Sequence, residues 1–238
     1  MKKVTAEDIE PELPDWEDPF LVPLKKVFVS KGELFLLTKY VKGDELFQQL
    51  KKEGVFEEER AQLYAAEILS ALEYLHSCGV AFGDLKPQNV LVDQTGHVQL
   101  TDFGVVRTIH PNSQISASAL PGYTAPEVYQ SREPTFAGDW WSFGALLFEM
   151  MTGSPPFCSD EPLEVEQKAL ESEPSYPSHL SEDAVDLIHK LLQKDPTQRL
   201  GSSAEDATPI KEHPFFQAFN WLEVPNKRVH PGYIPTVH

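Results

Sequence analysis

Positive charge, cysteine and long apolar runs are all scarce in this sequence, and each shortage narrows what the protein can do. The 238 residues carry 20 Lys plus Arg against 37 Asp plus Glu, a formal charge of −17. A surface of that sign repels nucleic acid and anionic membranes and suits a basic partner. Only two cysteines occur, Cys78 and Cys158. They lie far apart and have no histidine at metal-ligand spacing, which fits structural thiols in a reducing compartment. The most apolar stretch, WWSFGALLFEMM, is broken by Ser142, Gly144 and Glu149 and is too short to span a bilayer. The lysines at the start have no apolar run behind them, so no secretory signal is expected there. A cytoplasmic or nuclear protein is the reading. His76, His97, His110, His189 and His213 make no metal set, and most of them read as surface or capping residues.

What is present is enough apolar material for one sizeable core: 41% hydrophobic residues, 11% aromatic. One globular unit without internal repeats is expected. Residues 1–17 hold Pro11 and Pro14 among acidic residues, a composition that resists helix and central strand. The runs FLVPLKKVFVS and GELFLLTKY, separated by Lys31-Gly32, predict two antiparallel strands. Ala61, Tyr64, Ala65, Ile68, Leu72 and Leu75 repeat at helical spacing, and Gly79 is placed to end one long amphipathic helix. NVLVD and VQLTD around Gln94-Thr95-Gly96 predict a hairpin. Residues 105–124 lack periodicity and are rich in Pro, Ser and Asn, which predicts an exposed, mobile loop. From Asp139 on the chain reads as helical. Ser181 is the expected N-cap of a helix whose buried face is Val185, Ile188, Leu191 and Leu192, and Trp140 and Trp141 read as core.

GDLKPQNVLVD lies between the long helix and the hairpin, and TDFG follows the hairpin. Together they place Asp84, Lys86, Asn89 and Asp102 at the ends of neighbouring short elements, facing one cleft. Phosphoryl transfer needs a carboxylate to orient a hydroxyl, oxygen ligands for magnesium and a cation near the moving group. Those four side chains supply that set.

In order along the chain, DPFLVPLKKVF, GELFLLTKYVKGDELFQQL, GDLKPQNVLVDQTGHVQLTDFG, APE, GDWWSFGALLFEMMTGSPPF, DPTQRLG, HPFF and GYIP resemble the eukaryotic protein kinases of the AGC group. The wording is most similar to the serum- and glucocorticoid-regulated branch and its fungal relatives. The resemblance implies an α+β protein-kinase-like fold with a mostly helical large lobe and a reduced β small lobe. It divides the chain into an irregular leader (1–17), a remnant of the small lobe with the hinge (18–43), a large lobe (44–217) and the start of an AGC-type tail (218–238). It also implies a serine/threonine protein kinase using ATP and Mg²⁺ on protein or peptide substrates with basic residues.

Position by position, Asp84 resembles the catalytic base and Lys86 the lysine that steadies the transferred group. Asn89 and Asp102 resemble the two magnesium ligands. Lys39 and Val41 would offer backbone groups to adenine, with Thr38 as gatekeeper and Leu91 as floor, and Glu45 would hold the ribose. Glu127 and Arg199 resemble a buried ion pair, and Asp139 the carboxylate bracing the catalytic loop.

The sequence departs from this pattern in several places. No glycine-rich phosphate loop precedes residue 32. Only Lys2 or Lys3 could serve as the strand lysine, with Glu7 or Glu10 as its partner. The usual His or Tyr and Arg before the catalytic aspartate are Phe82 and Gly83. Gly83 cannot read a phosphate near Ser116, Leu120 stands where a threonine would bond the aspartate, and Gln88 replaces a common glutamate. These departures keep a second reading open, a pseudokinase serving as a binding module or scaffold. A metabolic small-molecule kinase is disfavoured by APE and the helices after it.

Overall fold

The computed structural model describes residues 17–30, 33–101, 122–131 and 133–229. Two strands, β1 (Leu24–Ser30) and β2 (Glu33–Thr38), pair antiparallel as the two short apolar runs predict. Their register sets Val27 opposite Leu36 and Phe28 opposite Phe35. Val27 is buried and Leu36 packs on the core, while the stacked Phe28 and Phe35 rings remain exposed on the other face. Strand β3 (Gly43–Glu45) joins β4 (Val90–Asp93) and β5 (Val98–Leu100) in a second antiparallel sheet, ordered β3-β4-β5. Residues 20–22 lie against β5: Val22 N–H donates to the Leu100 carbonyl (2.9 Å) and Leu100 N–H to that of Phe20 (2.7 Å).

The helices build the core. Helix α1 (Leu46–Glu53) precedes the long α2 (Glu58–Ser77), which ends where expected, with Gly79 in the left-handed region at φ 76°. Next come α3 (Pro126–Ser131), α4 (Phe136–Thr152), α5 (Pro162–Glu171), α6 (Glu182–Leu191) and the short α7 (Thr208–Lys211). Helix α4 packs against both α2 and α6. It is apolar nearly all round, as a helix enclosed by others must be. Trp140 and Trp141 are both 0% exposed. Gly144 permits the approach of α6, because a Cβ there would lie 2.8 Å from the Cβ of Leu191. Helix α4 starts three residues before Asp139, where the Thr135 hydroxyl caps the Gly138 N–H. Ser181 caps α6 through Ala184 N–H. Ile188, Leu191 and Leu192 are buried as expected, Val185 partly so.

Three expectations need correction. His76 and His97 are neither surface nor capping residues: each is buried and bonded to a carboxylate. His213, buried beside Asp186, does cap, its Nδ1 accepting the Phe215 N–H. The final residues of the expected exposed loop fold inward, with Tyr123 only 6% exposed. Cys78 and Cys158 are exposed rather than packed. The rest of the loop, including Ser116 and Leu120, lies outside the described residues. So do Phe103, His110, the candidate Lys2, Lys3, Glu7 and Glu10, and the chain beyond residue 229.

Candidate active site

Residues 82–89 join the end of α2 to β4, and their conformation is imposed from below by Asp139. This carboxylate sits in the first turn of α4 at 1% exposure. It accepts the Phe82 N–H at 2.7 Å and the Gly83 N–H at 2.8 Å, and receives a third bond from His76 Nε2 at 2.9 Å. A buried carboxylate is tolerable only with such partners. Here they fix the two residues that precede Asp84.

Asp84 is the centre of the loop's polar contacts. Its Oδ2 accepts from Lys86 Nζ (2.6 Å) and from Asn89 Nδ2 (3.0 Å), while Asn89 Nδ2 also donates to the Asp84 carbonyl (2.8 Å). Asn89 closes a 3₁₀ turn, Pro87–Asn89, and its carbonyl accepts the Thr101 N–H at 3.0 Å. That bond brings the end of the hairpin, one residue before Asp102, beside the loop. Asp102 itself lies outside the described residues. Both Oδ2 contacts and both Nδ2 contacts are internal to the loop. Oδ1 of Asp84 and Oδ1 of Asn89 are therefore the oxygens these bonds leave over.

Of the residues that the resemblance assigns to the nucleotide, Thr38 lies on β2, Glu45 on β3 and Leu91 on β4, while Lys39 and Val41 lie between strands. Thr38 ends β2 opposite Leu24, and the Lys39 N–H is held by the Pro23 carbonyl at 2.9 Å, which leaves the Lys39 carbonyl. Val41 is partly buried. In the second sheet Leu91 pairs with Glu45, and Leu91 faces away from buried Val90 and Val92. The 3₁₀ turn carrying Asn89 touches β3 and α1, so Glu45 and Asn89 belong to one neighbourhood.

A cleft beside Asp84 is lined by Gly83, Lys86, Tyr123, Thr124 and Val128 among others. Tyr123 was missed from the sequence, as was its partner. The Tyr123 hydroxyl donates to Glu149, and the Ser142 hydroxyl donates to the Tyr123 carbonyl at 2.8 Å. Burial raises the Glu149 carboxyl to about 6, although the Tyr123 bond opposes the shift. Burial and the facing carboxylate also push the Tyr123 phenol up. The available signal was Glu149 breaking the apolar stretch WWSFGALLFEMM.

Behind the cleft, Arg199 makes a two-pronged pair with Glu127, at 2.6 and 2.9 Å, and also donates to the carbonyls of Ala137 and Gln193. This arrangement of loop, brace and ion pair coincides with a family match. The protein kinase domain matches residues 13–216. The chain belongs to the protein kinase family. Its kinase relatives fall in the AGC group. The chain is 41% identical over 222 residues to the serine/threonine-protein kinase AtPK2/AtPK19 of Arabidopsis thaliana, covering 93% of this chain and 47% of that protein. It is 40% identical over 219 residues to the human cAMP-dependent protein kinase catalytic subunit PRKX, covering 92% and 61%. It is 41% identical over 222 residues to the serine/threonine-protein kinase gad8 of Schizosaccharomyces pombe, covering 92% and 39%. The chain thus spans about half the length of the curated relatives it matches. Among the described residues of this kinase domain, no helix is long and apolar enough to cross a membrane.

Proposed function

We propose that this kinase domain transfers the γ-phosphoryl group of ATP to serine or threonine hydroxyls of protein substrates. One observation carries the reading: Lys86 and Asn89 both bind Oδ2 of Asp84, which leaves Oδ1 to receive a hydroxyl. In that role Asp84 orients the hydroxyl and accepts its proton. Lys86, 2.6 Å away, lies where it can meet the transferred group, and its ion pair keeps the carboxylate pointed.

The donor chemistry fits magnesium. Asn89 has its amide nitrogen committed to Asp84, so its free atom is a hard oxygen of the kind Mg²⁺ takes. Asp102 would supply the second ligand. Bound there, the ion would neutralise charge on the phosphates. Thr38, Lys39, Val41 and Leu91 would border the adenine and Glu45 the ribose. The acidic chain favours substrates with basic residues and disfavours nucleic acid. With this reading we keep the division into a leader (1–17), small-lobe remnant and hinge (18–43), large lobe (44–217) and tail (218–238). Each relative quoted above carries a kinase name, and no observation favours the scaffold reading.

The test is phosphate incorporation from ATP and Mg²⁺ into an arginine-containing serine peptide, with Asp84→Asn as control. Incorporation by the wild type that falls by two or more orders of magnitude in the control is expected. A thermal-shift titration runs beside it. A ligand at a hundred times its dissociation constant adds about 2.7 kcal/mol of stability, so a Mg²⁺-dependent rise with ATP that Asp102→Asn abolishes is expected. No incorporation and no shift at millimolar ATP would remove the proposal.

A further inference from the structure

A second cavity, of about 440 Å³, lies between the last turns of α2, the first residues of α4 and the loop 201–206. Its volume falls in the range of small-ligand and side-chain pockets. Nothing in the phosphoryl-transfer reading uses it.

The depth of the cavity is charged and its rim is apolar. His76 is held between two carboxylates: Nε2 faces Asp139 at 2.9 Å and Nδ1 faces Asp206 at 3.0 Å. Both ring nitrogens therefore carry hydrogen. Burial opposes the charge, but the two carboxylate bonds outweigh it and lift His76 to about 9. One imidazolium against two carboxylates leaves one negative charge over. Asp206, which also accepts from Trp140 Nε1 at 3.0 Å, keeps its side chain 26% exposed. Glu73, the other carboxylate of the lining, pairs with Lys211 and remains 38% exposed. Phe136 stacks one face on His76, centroids 4.3 Å apart, yet stays 39% exposed at the opening. Ala137 and Ala204 complete the apolar part.

These groups define the occupant. An anion would meet a net negative floor. A plain apolar group would leave the exposed edge of Asp206 unanswered. A compact ammonium is strongly hydrated and gains little from an aromatic face. A guanidinium is planar and weakly hydrated, stacks on aromatic rings and donates two parallel hydrogen bonds to a carboxylate, and its propyl stem suits an apolar rim. We propose that this cavity is a binding site for an arginine side chain on an extended segment of a partner protein. The guanidinium lies against Phe136 and donates to Asp206. The floor it covers includes His76, which shares Asp139 with the catalytic loop.

The probe is a blocked pentapeptide, acetyl-Ala-Ala-Arg-Ala-Ala-amide, which has no hydroxyl to phosphorylate, so the titration involves no turnover, and the variants and shift positions below separate this cavity from the cleft beside Asp84. Calorimetry on the full chain is expected to show binding that is weakened tenfold or more by Asp206→Asn and lost in Ala204→Trp, where an exposed lining residue becomes a plug. Glu45→Gln, in the nucleotide cleft, leaves it unchanged. A citrulline peptide, isosteric but uncharged, binds at least tenfold more weakly. Amide NMR of the wild type reads the same question without any substitution: shifts on titration centre on residues 136–137 and 201–206. Shifts centred on residues 83–86, affinity unaltered in Ala204→Trp, or equal affinity for citrulline would each overturn the assignment.

Discussion

Gly83 stands against Pro134 so closely that a Cβ on Gly83 would lie 2.9 Å from the Pro134 Cβ. Gly83 also has φ 78°, in the left-handed region. Any side chain there pays for that backbone with about 1–2 kcal/mol. Gly83→Ala and Gly83→Arg are therefore both expected to lower the urea midpoint, Arg no less than Ala. Pro134→Ala should recover part of the loss in the double variant. Restoring the arginine that the kinase pattern carries at this position does not come free in this backbone, and denaturation curves of the four proteins check it.

The His76 clamp makes stability depend on alkaline pH. His76 is raised from 6.5 to about 9, so the folded state holds the proton more tightly than the unfolded chain. Its contribution is fully present below pH 6.5 and is lost as pH rises through 9. The shift corresponds to about 3 kcal/mol. Unfolding free energy measured from pH 6 to 10 should fall over that window, and His76→Gln should flatten the fall while lowering stability at pH 6.

The Glu149 carboxyl behaves likewise in acid. Raised from 4.5 to about 6 by burial, it favours folding most below pH 4.5 and loses about 2 kcal/mol as pH climbs to 6. The hydrogen bond from Tyr123 restrains this shift. Tyr123→Phe should raise the Glu149 value further and move the loss to higher pH, which carbon-13 detection of the Glu149 carboxyl would read directly.

Breaking the Arg199–Glu127 pair from one side leaves a buried charge behind. The Arg199 side chain is 0% exposed, and such one-sided deletions cost about 3–5 kcal/mol. Glu127→Ala is expected to fall in that range. Arg199→Met combined with Glu127→Leu should cost less than Glu127→Ala alone, and thermal or urea unfolding separates the two cases.

Where partners were close in sequence, the reading was good. The apolar runs on either side of Lys31-Gly32, the helical face from Ala61 to Leu75 and the Gln94-Thr95-Gly96 turn each carry a local period, run or turn chemistry. The structure places β1, β2, α2, β4 and β5 there. The histidines were misread because their partners are remote. His76 bonds Asp139 across 63 positions and His97 bonds Glu67 across 30, and no local pattern announces such a pair. Strand β3 has three residues, too few to show a period. Tyr123 was assigned to an exposed loop because nothing nearby reveals that Glu149 and Ser142 receive it. The loop geometry of Asp84, Lys86 and Asn89 followed from motif spacing, whereas the particular oxygen that each bond consumes could come only from coordinates.

Glu67 fastens the hairpin to the long helix. From the centre of α2, buried at 1% exposure, it accepts the Val98 N–H at 2.8 Å and pairs with His97 at 2.5 Å. Burial raises its carboxyl, while the bonds from His97 and Val98 oppose the shift. Local opening therefore cannot peel β4 and β5 from α2 without exposing that pair. In native-state hydrogen exchange the amides of Val98 and Leu100 should be released together with those of the middle of α2, as one cooperative unit. The β1-β2 ribbon, with an exposed aromatic face, should exchange earlier.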